Sequence, residues 1–132
     1  MNKDRLYLES IRDCLERIAE YTAGGEQEFL ASRLIQDGVV RNLEVIGEAT
    51  KNLSTELREA NPAIPWRQIA GMRDVLIHDY LKVNLFRVWL TVSTDLPDLR
   101  TTVARLLNLA WPWPPVTTPF SPWLRANPGI RA

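Results

Sequence analysis

An all-α fold is what this sequence predicts, and three observations predict it. Apolar residues recur every three or four positions along four long stretches, the spacing of one helix face. No stretch alternates apolar and polar residues with the period of a strand, and no internal repeat is present. The stretches are parted by a glycine pair, by Asn-Pro, and by Ser or Asn where a helix cap is needed. The expected architecture is a four-helix up-and-down bundle over residues 1–110, followed by an irregular Pro/Trp-rich C-terminal extension over 111–132.

The first helix is expected over 4–22. Tyr7, Ile11, Cys14, Ile18 and Tyr21 form its stripe, Leu8 and Leu15 widen it, and Gly24–Gly25 end it. After a short acidic link, Ser32 is placed to cap a second helix with Ile35, Val39, Leu43, Ile46, Thr50, Leu53 and Leu57 on one side. Gly38 and Gly47 weaken that helix locally by about 1 kcal/mol each, which points to close helix crossing there. Asn61-Pro62 breaks it. A third helix opens at Ile64-Pro65-Trp66 and runs to about Asp79, with Ile69, Met72 and Leu76 inward. Asn84 can cap a fourth, carrying Leu85, Val88, Trp89 and Val92. Pro97 lacks an N–H, so Thr94-Asp95-Leu96-Pro97 should kink or restart it before Val103, Leu106 and Leu107. Trp66 and Trp89 fall on apolar helix positions and read as core anchors rather than stacking platforms.

At 132 residues the chain has room for one domain and no second catalytic one. Acids and bases balance at 16 each, so no net field drives the whole protein onto nucleic acid or a membrane. No apolar run reaches membrane-spanning length and no signal peptide opens the chain, which makes the cytoplasm the expected compartment. The single Cys14 excludes an intramolecular disulfide and a Cys-cluster zinc site, and no metal is expected. The bases are 13 Arg and 3 Lys, which suits phosphate contacts but also follows from a GC-rich genome. All acids precede residue 99, and six of the nine prolines follow residue 111. That tail favours extended polyproline II, either packed on a partner or solvated.

One stretch stands out for chemistry, Met72-Arg73-Asp74-Val75-Leu76-Ile77-His78-Asp79-Tyr80. On a helix Asp74 and His78 are i,i+4 neighbours, so the carboxylate can fix the imidazole tautomer. Arg73 and His78 are about 140° apart around the axis, and a long arginine can lean toward the same pocket. An Arg that holds a phosphate beside a His that moves a proton is a minimal kit for phosphodiester cleavage. The same His near a helix C-terminus also reads as a plain dipole partner. Arg67, Lys82 and Arg87 flank the stretch as a phosphate-binding rim or as ordinary surface charge. Glu48 is placed either to pre-orient an arginine of the site or simply to face solvent.

The run Arg73-x4-His78-x-Tyr80 resembles the signature of HepT-like toxins, a branch of the HEPN superfamily of nucleotide-binding and RNA-cleaving helical domains. The segment from Gln36 to Ala49 is similar to the family's second-helix signature. Ile64-Pro65-Trp66-Arg67-Gln68-Ile69 is similar to its lead-in, and Asp74 fills the polar place after the arginine. The likeness covers about residues 1–108 and leaves the tail unexplained. It implies the toxin of a type II or type VII-like toxin–antitoxin system: a metal-independent endoribonuclease that works as a homodimer. Arg73 and His78 would be its catalytic residues, supported by Asp74. It also implies a minimal nucleotidyltransferase (MNT-type) antitoxin that uses ATP and Mg²⁺ to AMPylate Tyr80, the chain itself needing no cofactor. The alternative, from a different class, is a non-catalytic nucleotide-binding HEPN scaffold that docks onto such a nucleotidyltransferase.

Overall fold

The computed structural model describes residues 3–78 and 84–108; the side chains of Arg73 and of residues 75–78 fall outside that description. The elements among the described residues are all helices, joined by short turns, without strands. The helices are α1 (Asp4–Tyr21), α2 (Glu26–Ala31), α3 (Arg33–Lys51), α4 (Thr55–Ala60), α5 (Trp66–His78), α6 (Leu85–Leu90) and α7 (Leu96–Leu107). A π-helical turn, Thr91–Asp95, joins α6 to α7. The four principal helices expected from the sequence are therefore α1, α3, α5 and the run from α6 to α7.

α3 packs against both α1 and α5, and α7 packs against α1. α1 and α3 run antiparallel. Asp4, at the start of α1, accepts from Ser54 N (2.8 Å) and Ser54 Oγ (2.6 Å) just beyond the end of α3. At the other end, a Cβ on Gly38 would meet the Tyr21 ring at 3.0 Å, the close crossing expected there. α7 is antiparallel to α1 as well, since Arg5 Nη1 donates to the Leu107 carbonyl at 3.3 Å. Leu8, Ile11, Phe29, Val39, Leu43, Ile46 and Leu99 are fully buried in one continuous core. Trp66 is buried, and Trp89 is half-buried against Phe29 with ring centroids 5.4 Å apart.

Two boundaries differ from the sequence expectation. The acidic link is a short helix, α2, which drives Phe29 into the core with Leu30 packed beside it; two adjacent inward residues in six give no periodicity to read. Gly25, at φ 92°, supplies the left-handed turn that leads into it. The second helix does not run through to Leu57. It ends at Lys51, and Ser54 starts α4 by accepting from Leu57 N at 3.1 Å while Asp4 holds its own N–H and hydroxyl. Leu53 and Leu57 stay buried across the break, which is why the apolar stripe looks continuous.

The other described boundaries agree, while the expected end of the third helix near Asp79 and the extension over 111–132 lie outside the described residues. Ser32 caps α3 by accepting from Ile35 N at 3.2 Å, and Asn84 caps α6 by accepting from Arg87 N at 3.2 Å. The interruption before Pro97 is the π-helical turn. Proline offers no donor to the preceding turn, and the hydroxyls of Thr91, Ser93 and Thr94 return to the carbonyls of Arg87, Trp89 and Leu90 there.

Candidate active site on helix α5

α5 is anchored at its start. Trp66 Nε1 donates to the Asn61 carbonyl at 2.9 Å, Arg105 Nη2 to Asn61 Oδ1 at 2.7 Å, and Asn61 Nδ2 to the Leu57 carbonyl at 2.9 Å. Buried Asn61 therefore ties α4, α5 and α7 together, and with buried Ile69 it fixes which side of α5 faces the core. The other side carries polar residues. Arg67, Gly71 and Asp74 recur at four and three residues on one stripe, and helix geometry continues that stripe to position 78. Arg67 is exposed, while Gly71 and Asp74 are half-exposed.

Asp74 is held from another helix. Lys51 Nζ, at the end of α3, lies 3.1 Å from Asp74 Oδ1 and 3.2 Å from Oδ2, with both side chains well reached by solvent. This partner was not apparent from sequence, which offered Asp74 only its helical neighbour His78. Lys51 lies 23 residues away, and its position became legible only once α3 was seen to pack on α5. Arg73 and His78 both belong to the final turns of α5, five residues apart. Tyr80 and Lys82 lie outside the described residues. Glu48 and Arg87 are exposed on α3 and α6. Glu48 lines a groove of about 590 Å³ with Tyr7, Arg41 and Glu44, on the side of α3 that meets α1.

A neighbouring groove of about 660 Å³ between α1 and α3 holds charges of both signs, with Arg12, Arg17 and Arg41 beside Glu9 and Asp13. Cys14 lies at its base, where burial pushes the thiol pKa up and makes it a poor nucleophile. Among the described residues no group of three or more His, Cys, Asp or Glu is placed to hold a metal ion. No described helix is long and apolar enough to cross a membrane.

The family profile described as "Ribonuclease HepT-like" matches residues 11–106, which spans α1 through α7 and includes the α5 motif. The chain belongs to this HepT-like ribonuclease family of the HEPN type. It is 41% identical over 109 residues to a "Putative RNase" of Caldanaerobacter subterraneus subsp. tengcongensis, covering 82% of this chain and 97% of that protein. It is 43% identical over 95 residues to a "Probable ribonuclease HepT" of Thermococcus cleftensis, covering 71% and 86%. A "Gamma-glutamylcyclotransferase and putative RNase" of Methanocaldococcus jannaschii is 42% identical over 110 residues, covering 82% of this chain but only half of that protein's length. No solved structure matches the chain.

Proposed function

We propose that this chain is the endoribonuclease toxin of a toxin–antitoxin pair, acting in the cytoplasm as a homodimer on RNA. The observation that carries the reading is the Arg73-x4-His78 pair on the last turns of α5, in a chain of the HepT-like ribonuclease family. Residues 1–110 are the working unit in this reading, and the matched span 11–106 lies inside it.

The chemistry needs no metal in this scheme. The RNA 2′-hydroxyl attacks the adjacent phosphorus, a base takes its proton, and an acid protonates the departing 5′-oxygen, leaving a 2′,3′-cyclic phosphate. Each chain contains one histidine, so base and acid come from the two copies of His78 in a two-fold dimer. Arg73 neutralises charge on the pentacoordinate phosphorus, and Asp74 supports the histidine from one helical turn away. Arg67, Lys82 and Arg87 provide the outer phosphate contacts. Cleavage of single-stranded RNA in EDTA, with cyclic-phosphate ends on the products, tests this directly. Strict dependence on a divalent ion sinks the metal-free scheme, and RNA binding without cleavage moves the chain to the scaffold class.

Tyr80 is the regulatory acceptor in this reading. A minimal nucleotidyltransferase antitoxin, with ATP and Mg²⁺, transfers AMP to its hydroxyl. The added phosphate carries about one negative charge into the space RNA phosphates would use. Incubation with that partner and ATP is expected to add AMP-sized mass to the wild type and none to Tyr80→Phe, which stays active and resists neutralisation. Additions that persist on Tyr80→Phe refute the assignment.

A further inference from the structure

Nothing among the described residues explains Gly71. It sits mid-helix in α5, where glycine is among the least favourable residues. A Cβ built on it meets nothing within 4 Å, so packing among the described residues does not require its absence. By contrast, Gly38 is filled by the Tyr21 ring. The bare point at Gly71 lies between Arg67, one turn before it, and Asp74, three residues after it. Lys51 reaches that same place from α3 and places its ammonium on both Asp74 oxygens. The result is an exposed strip of helix backbone with a cation at one end and, at the other, a carboxylate whose charge is cancelled from a second helix.

We propose that Arg67, Gly71 and Lys51 form a subsite for the RNA sugar-phosphate backbone, next to the Arg73/His78 pair and separate from it. This rests on the ribonuclease reading above and deepens it. Arg67 donates to a phosphate oxygen. Gly71 lets the ribose-phosphate chain lie against α5 where any side chain would hold it off. Lys51 acts through Asp74, because its ammonium on both oxygens lowers the repulsion that this carboxylate exerts on an incoming phosphate. Along the helix, Gly71 lies about 10 Å before His78, so the subsite holds RNA flanking the scissile bond and not the bond itself.

The test uses the full-length protein and a 2′-O-methyl oligouridylate, which lacks the attacking hydroxyl and cannot be cleaved. Gly71→Ala is expected to raise Tm, since alanine favours helix and its Cβ meets open space, while weakening binding several-fold. Gly71→Leu weakens it further. A residue with a purely structural role would move both readouts the same way. Arg67→Ala should reduce the slope of log affinity against log salt by about 0.7, one phosphate contact on a single strand. Lys51→Ala should lose affinity, Lys51→Arg should keep it, and Lys51→Ala with Asp74→Asn should recover it. Arg12→Ala, on α1 beside Asp13, serves as the charge-removal control and leaves the slope unchanged.

A wild-type protein that does not bind the oligonucleotide overturns both this subsite and the ribonuclease reading. Wild-type binding with unchanged affinity and slope in the Arg67, Gly71 and Lys51 variants overturns the subsite alone. So does a fall in Tm for Gly71→Ala, which would give the glycine an internal reason. Loss of dimer in Gly71→Leu by light scattering, with affinity per dimer intact, assigns the strip to self-association and also overturns it.

Discussion

The contact between α1 and α3 and the outer stripe of α5 both adjoin the same central helix, α3, and they differ in what completes them. Between α1 and α3 the chain supplies its own partners. Leu8, Ile11, Leu15 and Ile18 bury with Val39, Leu43 and Ile46, Asp4 holds Ser54 at one end, and Tyr21 lies over Gly38 at the other. Among the described side chains of α5 one side is used this way, by Trp66, Ile69 and Met72. The other side exposes Arg67, a glycine facing open space, and a carboxylate paired across helices in solvent. An exposed ion pair contributes little to stability, typically 1 kcal/mol or less for pairs of this kind in general. The difference separates the region that keeps the chain folded from the region available to an external partner.

Substitutions should divide along that line. The largest effect is expected for His78→Ala and Arg73→Ala, each lowering RNA cleavage by about 10²–10⁴-fold with Tm nearly unchanged. Single-turnover rates beside thermal melts check this, and full activity in a folded His78→Ala protein removes the acid–base scheme. Next in size is Leu43→Ala. It empties part of the fully buried contact and should cost about 2–5 kcal/mol in denaturant unfolding, while cleavage per mole of folded protein stays at the wild-type rate. A specific loss of rate in this variant would dissolve the distinction between the two regions.

Smaller still is Asp4→Ala, which leaves the Ser54 N–H and hydroxyl without their carboxylate and loosens the joint between α3 and α4. About 1.5–3 kcal/mol is expected from urea titration, the range for hydrogen bonds to a charged group. An unchanged midpoint would mean that Ser54 holds the joint by capping Leu57 alone.

Much of this protein was decided within a few residues of chain. Apolar spacing set which stretches are helical, Ser32 and Asn84 set two of the starts, and Pro97 marked where the last helix changes its winding. These are contacts between residues three to five apart, so a linear reading contains them. The placement of Arg73, Asp74 and His78 on one helix was legible for the same reason.

Other features depended on which helix faces met. The stripe from Ile35 to Leu57 reads as one helix, because burial of Leu53 and Leu57 continues across the break; Asp4, 50 residues from Ser54, decides where the chain turns. The sequence offers Asp74 one partner, its helical neighbour His78, and the packing of α3 on α5 adds Lys51. Gly71 looks like Gly38 in the sequence. Only the folded chain distinguishes a glycine that admits a neighbouring ring from one that leaves a helix surface bare, because steric demand comes from the atoms opposite and not from the residue itself.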